Sequence, residues 1–238
     1  MEAIILVGGK GTRLRSLVSD RPKPLADVNG TPFLDFLLTF LTHQNCKHFI
    51  FATSYMSDAF TSLYGTEFKG IPISYSFEAQ PLGTGGAVIK AKDMLQTGEP
   101  FLVVNGDTFF PIELSALVDL HHKTRSDISI ALFQATEDDR FDLVETNRYK
   151  TLVIGKGKAK TGDLACGGVF IMTSSSFAKL TFKRHTLSLE NDVLPNLISN
   201  GIKLTGLPFD TRFIDIGIPS EYLYFCANHM KMYHSNID

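Results

Sequence analysis

Short apolar runs alternate with helical-period segments along the first two thirds of the chain. Residues 3–7, 48–53, 71–77, 101–104 and 128–133 are apolar or alternating stretches of strand length. Between them, residues 32–43, 57–64, 85–95 and 113–123 carry apolar positions at helical spacing. The spacing predicts Thr31 as the N-cap of the first helix and Pro32 as its first residue. After about residue 140 the pattern loosens. Residues 143–145 and 151–154 read as short strands flanking a hairpin turn at Asn147-Arg148, 168–172 reads as a strand, and helices are expected at 189–199 and 220–230. Strand–helix alternation of this kind implies an α/β fold of βαβ units around a mostly parallel sheet. With no linker, repeat or low-complexity stretch, residues 1–238 read as one domain, a core over 1–140 followed by a second part over 141–238.

The first apolar run stops at Leu6-Val-Gly8-Gly9, and Gly11, Thr12 and Arg13 follow. A strand entering a loop of exposed backbone N–H groups can cradle phosphate, with Arg13 and Lys23, the latter set between Pro22 and Pro24, to neutralise it. Two common phosphate loops are excluded. The dinucleotide fingerprint would need glycine where Leu14 stands, and no Gly-Lys-Ser/Thr follows four spacers.

Asp107 ends Asn105-Gly-Asp107 after an apolar strand, and Asp215 lies in Phe213-Ile-Asp-Ile-Gly217. Two carboxylates from distant positions can share one divalent cation, and Mg2+ suits carboxylates combined with phosphate oxygens and water. A second glycine-rich loop, residues 78–86, offers Gln80 to a base edge and Gly85 for close backbone approach. His121-His122 reads as the solvated face of a helix. With no nucleophile–base pair, the parts suit attack of one phosphate on another, by positioning and charge stabilisation.

Composition narrows the partners. A net charge of −2 over 238 residues argues against nucleic acid. No run of 18 apolar residues provides a membrane span, and the apolar stretch at 3–7 is too short for a signal peptide. Three widely spaced cysteines give neither a disulfide framework nor a zinc motif, so a cytoplasmic protein is expected. Asn29-Gly-Thr31 matches a glycosylation acceptor but reads as a turn. A homo-oligomer is compatible with this composition, which leaves the oligomeric state open.

The segments at 6–14, 22–25, 81–86, 105–107 and 213–219 together resemble the bacterial sugar-1-phosphate nucleotidyltransferases over nearly the whole chain. Residues 1–6, 28–34, 105–110 and 213–219 are most similar to the D-glycero-α-D-manno-heptose 1-phosphate guanylyltransferases. The resemblance implies a Rossmann-like mixed sheet, mostly parallel and flanked by helices, with a small antiparallel extension over the sugar site: the nucleotide-diphospho-sugar transferase fold. It implies a nucleoside triphosphate, GTP favoured, a sugar 1-phosphate, heptose favoured, and a role in lipopolysaccharide or capsule synthesis. Arg13, Lys23 and Asp107 would be catalytic, with Leu6, Gly8, Gly9, Gly11, Thr12, Gln80 and Gly85 completing the nucleotide site. Asp107 and Asp215 would hold Mg2+. Asp142, Lys156, Cys166, Gly168, Glu190 and Asp215 would form the sugar-phosphate site. Three positions depart from the family pattern: Phe141-Asp142 for Tyr-Gly, Gly155 for Glu, and Cys166 for Asn. They imply a changed sugar or a weakened site, the latter leaving a nucleotide-binding sensor or subunit as the rival reading. Gln80 resembles the uridylyl and thymidylyl branches, which keeps UTP and dTTP among the alternatives; a mannose-1-phosphate guanylyltransferase is a further one.

Overall fold

The computed structural model describes residues 1–9, 21–54, 56–136, 141–146, 152–178, 180, 182 and 184–234, with side chains placed at these except 146, 152–156 and 231–234. Among the described residues ten strands form one mixed sheet. Its centre is Glu2–Leu6, parallel to His48–Thr53 on one side and to Phe101–Asn105 on the other. Ile71–Phe77 extends the parallel part beyond His48–Thr53, and Glu67–Phe68 closes that edge. On the other side Leu164–Met172 runs antiparallel to Phe101–Asn105, and there the sheet forks. One branch adds Ile128–Gln134 and then Leu204–Pro208; the other adds Asp142–Thr146 and Leu152–Lys158, paired antiparallel as the expected hairpin requires. The turn residues 147–151 of that hairpin lie outside the described residues.

Period-two alternation divides the core between the two faces. Ala3, Ile5, Phe49, Phe51 and Leu102 face the helix Phe33–His43 and Phe225 of the helix Pro219–His234. Ile4, Ile50, Phe101 and Val103 face Ala87 and Val88 of the helix Gly83–Ala91, together with Leu194 and Leu197. All of these are buried, so each strand reads as a nearly continuous apolar run.

Four local expectations need correction. Thr31 and Pro32 do not open the first helix. They pair with Asp27–Val28 across a two-residue turn in which Asn29 and Gly30 both have positive φ, 53° and 87°, so Pro32 becomes the N-cap. The Asn29-Gly30 turn itself is as expected. His121 is not solvated: it sits in line with the buried Leu114 and Leu117, its Nδ1 3.1 Å from Ser129 Oγ and its Nε2 3.3 Å from Thr173 Oγ1. Only His122 faces outward. The helix expected over 189–199 is a π-turn, Leu189–Val193, leading into Leu194–Ser199, because Pro195 lacks the N–H that a continuous helix would use.

Candidate active site

The parallel strands end together at one edge of the sheet, and the polar residues after each strand meet there. After Glu2–Leu6 the chain reaches Gly8, whose carbonyl accepts a 2.6 Å hydrogen bond from Ser54 Oγ at the end of His48–Thr53. A Cβ on Gly8 would lie 2.8 Å from that oxygen, so glycine lets the two strand ends close. Gly9 faces open space. After Phe101–Asn105, the Gly106 N–H donates to the Leu6 carbonyl at 2.9 Å, and a Cβ there would lie 2.8 Å from the same carbonyl. The two glycine turns, nearly a hundred residues apart in sequence, are thus joined backbone to backbone at Leu6. Gly11, Thr12 and Arg13 lie outside the described residues.

Two-residue pairing brings the acids together. Thr108–Phe109 pairs antiparallel with Ile214–Asp215, register Thr108 with Asp215, and the Ile216 N–H donates to the Asp107 carbonyl at 3.1 Å. Lys23 enters from a 3-10 turn held by Pro22, Pro24 and the bond from Leu25 N to the Pro22 carbonyl, 2.8 Å. Its ammonium sits 2.7 Å from Asp107 Oδ2 and 3.2 Å from Asp215 Oδ1. The Gly217 N–H also donates to Asp215 Oδ1, at 2.7 Å. A Cβ at Gly217 would collide with Lys23 Nζ, so the Ile216-Gly217 step is open for the lysine's benefit.

The donor set fits Mg2+. Among the described residues no group of three or more His, Cys, Asp and Glu side chains converges, so a cage made wholly of protein is excluded for them. Two carboxylates that already bracket one cationic nitrogen match the ion that takes one or two carboxylates and completes its shell with phosphate oxygens and water.

The second glycine loop behaves differently from expectation. Gly85 is buried rather than open: its N–H bonds the Leu187 carbonyl at 2.8 Å, and a Cβ would lie 2.5 Å from Val193 Cγ2. Its lack of a side chain lets the 187–193 segment pack on the helix. Gln80 is exposed. Sequence reasoning passed over Glu78, which continues the ladder past Ile71–Phe77 by donating its N–H to the Thr53 carbonyl at 2.8 Å. Its Oε2 accepts the Leu82 N–H at 2.8 Å, and burial pushes its pKa up against that bond. The available signal was positional: Glu78, like Asp107, is an acid just past a parallel strand.

Where the sheet forks, the expected sugar residues gather. Leu164–Met172 shifts register between Cys166 and Phe170, and Gly168 adopts φ 68° within that bulge. A Cβ on Gly168 would fall 2.5 Å from Asn105 Nδ2, so the bulge packs directly on the turn that carries Asp107. Burial pushes the Cys166 thiol up, the Glu190 carboxylate adds to the shift, and Asp142 adds less. Burial also pushes up the pKa of Glu190, against the bond from Ser188 Oγ and with Asp142 adding to the rise. Cys166, Glu190 and Asp142 therefore share one electrostatic neighbourhood, though Asp142 is engaged by Lys158 at 2.6 Å in an exposed ion pair. Lys156 lies on Leu152–Lys158, and its side chain is outside the described residues.

A model of the family described as nucleotidyl transferase matches residues 2–231. The D-glycero-alpha-D-manno-heptose 1-phosphate guanylyltransferase of Campylobacter jejuni subsp. jejuni serotype O:2 is 37% identical over 230 residues, 96% of this chain and 100% of that protein. The protein of the same name from Aneurinibacillus thermoaerophilus is 37% identical over 223 residues, 93% of this chain and 95% of its own. Among solved structures, HddC from Yersinia pseudotuberculosis complexed with GMP-PN superposes with a TM-score of 0.82 at 28% identity, over 96% of this chain and 99% of that one. A glucose-1-phosphate thymidylyltransferase from Bacillus anthracis, 20% identical with a TM-score of 0.81, shares the fold.

Proposed function

The chain belongs to the nucleotidyl transferase family and is an enzyme of the sugar-1-phosphate branch; from that premise we propose that it joins GTP and a heptose 1-phosphate into a GDP-heptose, with release of pyrophosphate. The observation that carries the reading is the meeting of Lys23, Asp107 and Asp215 beside the two glycine turns. An oxygen of the sugar phosphate attacks the α-phosphorus in line. The bond from that phosphorus to the β-phosphate oxygen breaks, and pyrophosphate leaves with its electron pair. Mg2+, when held by Asp107 and Asp215, supplies charge neutralisation for the phosphate oxygens.

This chain's residues do the rest. The turns at Gly8-Gly9 and Gly106 let backbone approach the phosphates closely, and Ser54 fixes the first of them. Lys23 neutralises the α-phosphate and the incoming sugar phosphate, bringing two like-charged groups together. The guanylyl assignment rests on the full-length likeness to the two heptose guanylyltransferases and on Glu78. Guanine presents two adjacent donors, N1–H and N2–H2, and Glu78 retains lone pairs on both oxygens after accepting the Leu82 N–H. Half-buried, Glu78 can make a more discriminating bond to the base than the exposed Gln80. The bulge at Gly168, with Cys166 and Glu190, forms the sugar side.

No helix among the described residues is long and apolar enough to cross a membrane. The proposed role is a cytoplasmic supply of nucleotide-activated sugar for cell-surface polysaccharide, by likeness to the heptose guanylyltransferases. The test is a matrix of nucleoside triphosphates against sugar 1-phosphates, scored by pyrophosphate release with Mg2+ present. GTP with a heptose 1-phosphate should give the highest kcat/KM. A preference for UTP or dTTP would overturn the guanylyl assignment, a preference for mannose 1-phosphate the heptose. Nucleotide binding with no turnover on any sugar phosphate would replace the enzyme by a nucleotide sensor.

A further inference from the structure

We infer that Lys23 is an internal counter-ion for the metal site, holding Asp107 and Asp215 until a divalent cation displaces it. The inference rests on the proposal that those two acids bind Mg2+. The ammonium touches one oxygen of each acid, at 2.7 and 3.2 Å, with only 13% of the lysine side chain exposed. This seat is built by the sequence on both sides. Pro22 and Pro24 fix the turn from which Lys23 projects, and Gly217 leaves open the space into which a Cβ would collide with its Nζ. The Gly217 N–H further orients Asp215 Oδ1 toward the same point.

Charge decides what happens when a metal arrives. Among the described residues, one ammonium meets two carboxylates, a net negative group that attracts a divalent ion. A divalent ion bonded to Asp107 and Asp215 repels the ammonium at contact distance, so the lysine must leave the acids. The released ammonium then faces the oxygens of the phosphate that came with the metal. Before the metal arrives, the paired lysine also keeps two part-buried carboxylates from repelling one another.

Two measurements without nucleotide or sugar phosphate test this. Mn2+ binding is titrated by electron paramagnetic resonance for the full chain and for Lys23→Met, Lys158→Met and Asp107→Asn. Lys23→Met should bind Mn2+ about tenfold more tightly than the unchanged protein, the size expected of losing one part-buried competing ion pair. Lys158→Met removes an equal charge that is engaged by Asp142 instead, and should shift affinity by less than about twofold. Asp107→Asn should lose the site. Equal affinities for the unchanged protein and Lys23→Met, or an equal gain in Lys158→Met, would overturn the displacement while leaving the metal site standing. No Mn2+ binding in any of the proteins would overturn the metal site itself. The second measurement needs no variant: the rate at which an amine-acylating reagent modifies Lys23, followed by peptide mass spectrometry, should rise several-fold on adding Mg2+. An unchanged rate would overturn the inference.

Discussion

The two ends of the same parallel strands each hold a cluster of ionisable and polar groups, and they differ in how completely those groups are satisfied. At the amino end, Glu2 accepts from His48 Nδ1 at 2.8 Å, from Gln96 N at 3.0 Å, and from Thr97 N and Oγ1, both at 2.8 Å. His48 Nε2 in turn lies 2.9 Å from Ser74 Oγ, so the network spans the first three parallel strands. At the carboxyl end, Asp107 and Asp215 bracket the ammonium of Lys23, and glycines stand where side chains would fill the space. A carboxylate whose lone pairs are occupied by fixed donors stabilises the fold and has little left for a ligand. Carboxylates gathered around a flexible lysine, beside backbone turns that stay open, can exchange that partner for an incoming cation.

The comparison breaks most visibly at the carboxyl end. Asp107→Asn and Asp215→Asn should each lower kcat/KM on the order of 10²–10³-fold, as removal of a key electrostatic stabiliser does. Excess chelator should do the same to the unchanged protein, and full activity in chelator would remove the metal from the mechanism. Lys23→Ala should cost about a hundredfold in kcat/KM. It should also lower stability by about 1–2 kcal/mol, because two part-buried acids lose the cation between them. If Lys23 instead stood among other cations with no acids to pair, its removal would raise the melting temperature. A calorimetric scan of Lys23→Ala decides between the two.

A smaller effect is expected at the base. Glu78→Gln replaces one acceptor oxygen with a donor. The GTP-to-UTP ratio of kcat/KM should fall about five- to a hundredfold, the range for leaving one base donor unmatched. Gln80→Glu, at an exposed position, should move the ratio less. If Gln80→Glu moves it more, the base is read by Gln80 and Glu78 serves only to hold the turn at Leu82.

These residues also mark how far the sequence could be read. Glu2–Leu6, Phe101–Asn105 and the glycine turns after them were legible because burial on two faces produces unbroken apolar runs, here ending in glycine. Asp107 was legible as an acid placed directly after such a run. Asp215 was legible as a second acid that could join Asp107, but its convergence on Lys23 was not, since Thr108–Phe109 and Ile214–Asp215 pair over two residues, too few to show a period. The packing role of Gly85 was hidden because its partner segment, 187–193, lies about a hundred residues away and was read as plain helix. His121 looked solvated because a polar residue on a helix is usually outside. It is inside because Ser129, on a strand beneath it, and Thr173, just past the end of another, supply partners that no local pattern announces.

The least effect on turnover is expected at the amino end, where the comparison can be sharpened through pH. Burial alone would raise the pKa of Glu2; the bond from His48, then those from Gln96 and Thr97, outweigh it and bring the pKa from 4.5 down to about 2. A group whose pKa is depressed by folding stabilises the native state above its unfolded value. The contribution is therefore whole above about pH 4.5 and is lost as pH falls toward about 2, in all about 3 kcal/mol for a side chain this buried. Glu2→Gln should lower unfolding free energy at pH 7 by an amount of that order, because an amide nitrogen would face the donors of Gln96 and Thr97. The gap between the two proteins should narrow as pH drops from 4.5 to 3, since the unfolded Glu2 takes up its proton there and the native one does not. Urea unfolding of both proteins across that range measures it, with kcat/KM at pH 7 per folded molecule as the companion readout. A gap that stays constant with pH would mean that Glu2 acts by packing rather than by charge. A drop in kcat/KM in the folded fraction would mean that the amino end of the sheet is coupled to the site at its carboxyl end.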